Sequence, residues 1–213
     1  MLRPRYDAVL FDLLTALLDS WTLWNSVAGD EADGRRWRAA YLANTYATGA
    51  YRPYEALVAE AAVEAGLLVT LAQTLASRYG GLQPWPEAGE VLRTLQQAGM
   101  PLAVVTNCSQ SLAEVAAHCT GIRFDVVVSA ERAGFYKPDP HPYRMALAEL
   151  GGLAPARCLF VAGSPYDLFG TAVVGLPTYW HDRIGLAPPA GAPPAHARHR
   201  TLAPLIETAL VRS

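Results

Sequence analysis

The feature that most constrains the fold is a short apolar run, Ala8 to Phe11, that stops abruptly at a carboxylate, Asp12. Its residues suit a buried strand, and the pattern turns helical soon afterwards. In open α/β sheets, ligands bind just beyond the carboxyl ends of the parallel strands. Asp12 is therefore the first candidate for chemistry, although an aspartate in this position can also cap a turn or a helix.

Apolar and helical segments alternate in the second half of the chain. We predict strands over 101–105, 125–129, 158–161 and 177–180, and helices over 87–98, 111–119, 140–150 and 202–211. This alternation predicts an α/β fold, a doubly wound parallel (Rossmann-like) sheet with right-handed crossovers and helices on both faces. The stretch 186–199 is rich in proline and alanine, and we predict a surface excursion there.

Residues 17–85 interrupt this alternation. The segments 33–51, 54–65 and 71–79 carry aromatic and aliphatic residues at helical spacing, without the alternation of a strand. We predict an all-helical cap domain over 17–85, inserted in an α/β core domain formed by 1–16 and 86–213. The aromatic residues of the insertion are predicted to form its core or a subunit interface; they are Trp21, Trp24, Tyr41, Tyr46 and Tyr51.

Composition favours a small molecule as the partner. The chain has 213 residues, of which 52% are apolar and 17% charged, as expected of a globular protein. Its net charge of -2 provides no basic surface for nucleic acid or an anionic membrane. No apolar run approaches the roughly 20 residues that cross a bilayer, and the N terminus has no signal-peptide pattern, so we expect a cytoplasmic protein.

The cysteines and histidines have no metal-ligand spacing, so they predict neither a metal site nor a cofactor site. The odd number of cysteines fits a reducing compartment, and without a nearby histidine Cys108 is interpreted as a small buried residue. The scattered histidines are interpreted as surface or packing residues; they are His118, His141 and His181.

Polar residues lie at four points where the predicted strands end: Asp12, Thr106 with Asn107, Lys137, and Ser164 to Asp167. In order and spacing they match the four motifs of the haloacid dehalogenase-like (HAD) superfamily. The chain resembles that superfamily over essentially its whole length, with the helical insertion where the family has its mobile cap. Most members of the superfamily are magnesium-dependent phosphatases, so the resemblance first implies that activity.

Two departures speak against a phosphatase. Leu14 occupies the position of a second aspartate that protonates the leaving alkoxide in those enzymes, and Gly163 that of a metal-binding aspartate. A positioned general acid is worth about 10²–10⁴-fold in rate. A hard cation also needs several oxygen ligands. We therefore expect neither magnesium binding nor efficient phosphoryl transfer.

The L-2-haloacid dehalogenases are a branch of the superfamily that lacks the second aspartate and binds no metal. A halide needs no proton to depart; it needs a carboxylate nucleophile in line with the carbon. By this resemblance Asp12 is the nucleophile, Lys137 keeps it ionised and oriented, and Asp167 pairs with Lys137 and helps to activate the hydrolytic water. A lysine between two carboxylates favours the ionised form of both.

The resemblance also implies six substrate-binding residues: Arg38, Thr106, Asn107, Tyr143, Ser164 and Tyr166. Arg38 would take part in substrate and halide binding, and Asn107 would belong to the halide cradle. Thr106 would hydrogen-bond to the substrate carboxylate or to Asp12, and Ser164 would replace an amide that holds water in the family. The chain also departs from this branch, because Leu14 replaces a tyrosine, Ala162 replaces a serine, and the hydroxyl that follows the nucleophile in the family is displaced or lost.

Each of these residues also has a purely structural interpretation. Arg38 belongs to the run Arg35-Arg36-Trp37-Arg38, which suits a solvated helix face, and Lys137 suits a solvated loop. Tyr143 suits core packing, whereas Thr106, Asn107 and Asp167 could cap helices.

We expect a metal-independent hydrolase that acts on carbon-halide bonds. Its substrate would be a short 2-haloalkanoic acid, its intermediate an aspartyl ester, and its products a 2-hydroxy acid and a halide ion. The family usually forms homodimers, and the helical insertion could supply that interface. The alternatives are a HAD-type phosphatase of small phosphate esters and a catalytically silent binding module.

Overall fold

A computed structural model describes residues 2–212 of the chain. Its strands are β1 (Leu2–Pro4), β2 (Ala8–Phe11), β3 (Leu102–Thr106), β4 (Val126–Ser129), β5 (Cys158–Ala162), β6 (Thr178–His181), β7 (Ala197–His199) and β8 (Leu210–Arg212). Six of them form one sheet in the order β4-β3-β2-β5-β6-β7, and every neighbouring pair is parallel. The predicted fold class is therefore confirmed.

Strand β2 lies where the strand order changes direction, because chain neighbours on one side are β3 and β4 and on the other side β5 and β6. The carboxyl ends of parallel strands meet at one edge of the sheet, and a ligand crevice opens at such a switch point. Asp12 follows the last residue of β2, so it stands at this crevice.

Helices of the α/β part cover both faces of the sheet: α5 (Ala88–Gln97), α6 (Gln110–Cys119), α7 (Ala130–Ala133), α8 (Pro140–Glu149), α9 (Asp167–Val174) and α10 (Leu205–Ala209). Side chains of β2 alternate between two hydrophobic clusters, as the two-residue period of a strand requires. Val9 and Phe11 pack in the cluster that includes residues of α5 and α6. Ala8 and Leu10 pack in the cluster that includes residues of α8 and α9.

Four helices occupy the region of the predicted insertion: α1 (Ser20–Ala28), α2 (Glu31–Thr48), α3 (Tyr54–Glu64) and α4 (Leu71–Ser77). Each packs against the next along the chain, and α1 also packs against α4. The connections into and out of the helices run side by side, with an antiparallel bridge between Leu18 and Pro84. The domain division stays a prediction.

Two of the five aromatic residues that we singled out, Trp24 and Tyr41, are buried inside this helical layer. The Trp24 ring lies 4.7 Å from the ring of Trp37 and 5.3 Å from that of Tyr41. Helix α2 begins before the predicted segment because the Asp30 side chain accepts a hydrogen bond from the backbone N–H of Asp33 at 2.8 Å and caps it.

The C-terminal predictions were partly wrong. The predicted surface excursion ends in β7, which pairs parallel with β6 at the sheet edge. The predicted final helix is short, because Leu210 starts β8, which pairs antiparallel with β1. Pairing with a distant segment overrode the local helical pattern. No helix within residues 2–212 is long and apolar enough to span a membrane.

Candidate active site

The two oxygens of Asp12 have different surroundings. Oδ2 accepts hydrogen bonds from the backbone N–H of Thr15 at 3.0 Å, from the Thr15 hydroxyl at 2.6 Å and from the backbone N–H of Ala16 at 3.1 Å. Oδ1 accepts one hydrogen bond, from Lys137 Nζ at 3.0 Å. One oxygen is therefore saturated with donors, while the other keeps a lone pair for a further partner.

Lys137 lies between two carboxylates. Its Nζ is 3.0 Å from Asp12 Oδ1 and 2.9 Å from Asp167 Oδ1, and all three side chains are buried. Burial by itself would raise the pKa of Asp12, but the Lys137 charge and the Thr15 hydrogen bonds lower it below its usual value. Burial would lower the pKa of Lys137, yet the two carboxylates raise it. The ammonium and the Asp12 carboxylate thus keep each other ionised.

Asp167 differs from Asp12 in the direction of its pKa shift. Burial, together with the nearby charge of Asp12, raises the pKa of Asp167 to about 6, against the opposing effects of Lys137 and of the Tyr143 hydroxyl. That hydroxyl donates to Asp167 Oδ1 at 3.0 Å. A carboxylate with a pKa near neutrality suits a general base.

These carboxylates face a small cavity of about 50 Å³. Its sheet side is formed by Asp12, Leu14, Thr15, Thr106, Asn107, Lys137, Ser164 and Asp167, and its helical side by Trp21, Arg38, Tyr41, Leu42 and Tyr46, which belong to α1 and α2. Leu186, from the segment after β6, completes the lining. Predicted residues from distant parts of the chain therefore meet in one cavity.

Arg38 is the cation on the helical side, and its residue is only 4% exposed, which excludes the solvated-face interpretation. Its guanidinium donates to Ser20 Oγ at 2.8 Å and lies over the Trp21 ring, 4.1 Å from the centroid. Nε has no hydrogen-bond partner, and no carboxylate within residues 2–212 forms an ion pair with this side chain. Burial lowers the pKa of Arg38. An unpaired, desolvated cation at a cavity is suited to an anion.

Asn107 lines the cavity, but its side chain also fixes the loop of Lys137. Its Oδ1 accepts from the Lys137 backbone N–H at 2.7 Å, and its Nδ2 donates to the Lys137 carbonyl at 3.0 Å. Thr106 Oγ1 lies 3.8 Å from Cys108 Sγ, and the described donors to Asp12 do not include it. The suggested bond from Thr106 to Asp12 is therefore not found, while its contact with substrate stays a prediction.

Two other predicted residues lie behind the cavity wall. Tyr143 is fully buried and supports Asp167 through its hydroxyl, so the structure does not place it where a substrate could touch it. The Tyr166 ring packs on Tyr46, with 4.2 Å between centroids. Tyr166 lines an outer depression that shares Trp21, Leu42 and Leu186 with the cavity.

Thr15 is the functional residue that sequence reasoning left unassigned. We expected the hydroxyl after Asp12 to be displaced or lost, and the structure shows it displaced, since Thr15 donates it to Asp12 Oδ2. A threonine three residues after an aspartate at a strand end is the available signal, because side chains in such turns bond to donors a few residues on. The apolar wall of Leu42, Tyr46 and Leu186 had no comparable signal.

The residues present do not fit a magnesium ion. Lys137 Nζ occupies the space between Asp12 and Asp167. At Gly163, a Cβ would overlap the Thr15 side chain and the Ala16 backbone, so this position has no room for an aspartate. Within residues 2–212, no group of three or more His, Cys, Asp or Glu side chains could hold a metal.

Comparison with known proteins identifies the family. The model of the haloacid dehalogenase-like hydrolases matches residues 6–175. The chain belongs to this family. The crystal structure of the L-2-haloacid dehalogenase RSc1362 superimposes with a TM-score of 0.84 at 26% identity, covering 95% of this chain and 98% of that one.

Three curated proteins of similar sequence differ in how much of their length matches this chain. (S)-2-haloacid dehalogenase H-109 of Pseudomonas putida is 29% identical over 84% of this chain and 87% of its own length. Haloacetate dehalogenase H-2 of Moraxella sp. is 34% identical, but the match spans 54% of this chain and only 52% of that enzyme. Hexitol phosphatase A of Escherichia coli is 30% identical over 79% of this chain and 76% of that protein. The proteins to which this chain is similar therefore carry the names of two different activities.

Proposed function

We propose that this hydrolase removes the halogen from short 2-haloalkanoic acids without a metal ion. The observation that carries the proposal is the buried Asp12–Lys137–Asp167 group, which faces a small cavity with the unpaired Arg38 on its opposite side. The names of two similar enzymes, a haloacetate and an (S)-2-haloacid dehalogenase, support the substrate class.

In the first step Asp12 Oδ1 attacks C2 of the substrate, and the carbon–halogen bond breaks with its electron pair on the halide. Oδ1 is the attacking atom because Oδ2 already accepts three hydrogen bonds. Lys137 holds Oδ1 in place, and Arg38 supplies the positive charge that the anionic substrate and the halide require. The product of this step is an ester of Asp12.

In the second step water attacks the carboxyl carbon of Asp12. Asp167 accepts the water proton, and the negative charge develops on Oδ2. The bond between that carbon and Oδ1 then breaks as Lys137 Nζ donates a proton to Oδ1 and recovers one from Asp167, which releases a 2-hydroxy acid. Asp12 becomes a carboxylate again by losing its remaining proton to water. The three donors from Thr15 and Ala16 already point at Oδ2, so they form an oxyanion hole. Loss of one such donor typically reduces kcat by about 10²–10³-fold.

The helices of residues 17–85 would act as a cap that carries Arg38 and excludes water during the first step. Arg38 and most of the apolar residues of the cavity lie on α1 and α2, whereas Asp12, Lys137 and Asp167 lie in the α/β part, which supports this role for the helices. A homodimer and a cytoplasmic location stay predictions; gel filtration with light scattering tests the first, and cell fractionation the second.

Single-turnover hydrolysis in ¹⁸O water tests the two-step scheme. The label should enter Asp12 before it enters product, because the product oxygen comes from Oδ1. Asp12→Asn should abolish halide release, and a chelator should leave it unchanged. A first-turnover product that already carries the label would contradict the ester intermediate.

Phosphatase activity is the second candidate, because hexitol phosphatase A is a relative of similar identity. Leu14 and Gly163 argue against it, since neither can protonate an alkoxide or bind a metal. A panel of sugar phosphates with and without magnesium separates the two candidates. Phosphate release that disappears on adding chelator would favour the phosphatase. If the wild-type protein binds a small acid but does not turn it over, and Asp12→Asn leaves that binding unchanged, a binding module is favoured.

A further inference from the structure

Two side chains outside the cavity hold the loop that follows Asp12. The indole Nε1 of Trp85 donates to the Thr15 carbonyl at 3.0 Å. Nδ1 of His181 lies 2.8 Å from the Ala16 carbonyl. A carbonyl only accepts, so His181 carries its proton on Nδ1. These bonds end on the two residues whose backbone N–H groups point at Asp12 Oδ2.

Planarity of the peptide bond couples one of these contacts to the carboxylate. The Thr15 carbonyl and the Ala16 N–H belong to the same trans peptide unit, so they point in opposite directions. A donor that fixes the carbonyl therefore aims the N–H, which here donates to Asp12 Oδ2 at 3.1 Å. Trp85, this peptide unit and Asp12 form a chain of hydrogen bonds in which each bond polarises the next.

His181 fixes the next peptide unit. The Ala16 carbonyl accepts from His181, and the N–H of the same unit, that of Leu17, donates to the Leu13 carbonyl at 3.2 Å. Both peptide planes that flank Ala16 are thereby held by a side chain from a distant part of the chain. His181 is fully buried and Trp85 is 9% exposed, so water does not compete effectively for either carbonyl.

The surroundings of His181 keep its ring neutral. Burial lowers its pKa, and Nε2 has no hydrogen-bond partner within the described part of the chain. The charged groups nearby are Glu87, whose Oε1 is 3.9 Å from Nε2, and Arg183, which donates to that carboxylate at 3.0 Å and lies over the Trp85 ring. Glu87 is thus engaged by Arg183, and the rings of His181 and Trp85 meet edge to face, with an angle of 83° between their planes.

We propose that Trp85 and His181 are positioning residues for the ester-hydrolysis step. Neither lines the cavity nor contacts Asp12; they act by orienting the peptide units beside Ala16 so that its N–H meets the oxyanion on Asp12 Oδ2. The inference rests on the proposed function and names residues that serve one of its two steps. Their loss should slow hydrolysis of the ester while alkylation of Asp12 by the substrate continues.

Trp85→Phe is the decisive variant, because it keeps an aromatic ring and removes the N–H. We expect kcat to fall by about 10–100-fold, somewhat less than for complete loss of an oxyanion-hole donor. Rapid-quench experiments with bromoacetate should show a burst of one bromide per site followed by slow turnover, and mass spectrometry should show the ester on Asp12. Accumulation of an intermediate also lowers KM, which a general loss of folded protein would not do.

Trp180→Phe is the matched control. Trp180 is a buried tryptophan whose Nε1 has no hydrogen-bond partner in residues 2–212, so removing its N–H should leave the burst and kcat at wild-type values. For His181, the Leu variant removes the donor and the Asn variant restores one. His181→Asn should therefore recover more of kcat than His181→Leu, and only the Leu variant should accumulate the ester.

A result in which Trp85→Phe slows the bromide burst and the steady state equally, without ester, would overturn the proposal. An unchanged kcat would do the same. If the wild-type protein releases no bromide at all, the proposed function fails instead. Hydrogen exchange of the Ala16 amide then still decides on the positioning role, which requires faster exchange in Trp85→Phe than in Trp180→Phe.

Discussion

At the scale of single residues, the site separates two carboxylates that share one lysine. Lys137 bonds to both, but Asp12 has three further donors on Oδ2, whereas the described partners of Asp167 are Lys137 and Tyr143. The pKa of Asp12 is lowered and that of Asp167 is raised to about 6. Different surroundings thus fit one carboxylate to attack carbon and the other to take a proton from water.

This difference predicts how activity depends on pH. Asp167 must be ionised to accept a proton, so kcat should fall in acid. The pKa of about 6 belongs to the free protein; the Asp12 charge that helps to raise it is lost in the ester, so the acidic limb of kcat should lie below that value. The Tyr143 hydroxyl lowers the pKa of Asp167, so Tyr143→Phe should move the acidic limb of the kcat profile to higher pH while the ring packing is retained. Steady-state kinetics over pH 4–8 would check this. Intervals of roughly 0.5 pH units would resolve a shift of about one unit in the apparent pKa of the acidic limb. A limb that moves to lower pH would contradict the role of Asp167 as the base.

Gly163 carries a second prediction at this scale. A Cβ here would overlap Thr15 and Ala16, so Gly163→Ala should destabilise the protein by about 1–3 kcal/mol and disturb the hydrogen bonds to Asp12. Gly81→Ala is the control, because a Cβ at Gly81 meets nothing within 4 Å. Urea unfolding and kcat would be measured for both variants. Equal stability of the two would show that the loop near Asp12 yields to an added methyl group.

At the scale of elements, five of the six strands of the parallel sheet were predictable, because most of them are short apolar runs followed by a polar residue. β2 and β5 were placed to within one residue of their observed ends. β7 and β8 were not predicted, since each is only three residues long and depends on a partner far away in the chain. Long-range pairing leaves no periodic signal in so short a segment.

The charged residues of the candidate site were predictable from the sequence, but the residues that support them were not. Asp12 follows β2, and Asp167 opens α9 after β5, so the parallel sheet brings these two together, whereas Lys137 reaches them from the loop between α7 and α8. Trp85 and His181 bind backbone carbonyls, and the sequence pattern of side chains does not predict the direction in which a carbonyl points. We interpreted His181 as a surface or packing residue; the structure shows a buried ring with a specific hydrogen bond.

The segment after β6 yields a prediction at this scale. The backbone N–H of Leu186 donates a hydrogen bond to the Asp182 side chain at 2.8 Å. The Leu186 side chain, together with Trp21 and Leu42, lines both the cavity and the outer depression and lies between them. If substrate passes between them, Leu186→Trp should reduce kcat/KM about tenfold or more, equivalent to roughly 1.4 kcal/mol. Leu68→Trp is the control, because Leu68 is 72% exposed on the helical insertion. Equal kcat/KM in both variants would place the path elsewhere.

At the scale of the whole molecule, a net charge of -2 gives no long-range attraction for an anionic substrate. The positive charge that a haloacid needs is local instead. Arg38 and Lys137 approach the cavity from opposite sides, one from α2 and one from the sheet edge, and only Lys137 is paired with carboxylates. Selectivity for an anion therefore depends on how the helical layer sits on the sheet.

The same arrangement limits the size of the substrate. The cavity volume is about 50 Å³, and Leu42 and Tyr46 of α2 form part of its wall. A water molecule needs roughly 10–15 Å³ on this measure, and a cavity of about 150 Å³ accepts benzene. We therefore expect kcat/KM to be highest for bromoacetate and to fall along 2-bromopropanoate, 2-bromobutanoate and 2-bromohexanoate. Each forced methylene can cost about 1–3 kcal/mol.

The bromide series keeps the leaving group constant, so any trend in kcat/KM reports the space around C2. Leu42→Ala should raise kcat/KM for the longer acids relative to bromoacetate, because it removes wall atoms without touching Asp12, Lys137 or Arg38. Leu42→Met conserves volume and should keep the wild-type order. Equal kcat/KM for bromoacetate and 2-bromohexanoate in the wild-type protein would mean that the helical layer opens in solution far enough to remove this limit, and the cavity wall would then not select for chain length.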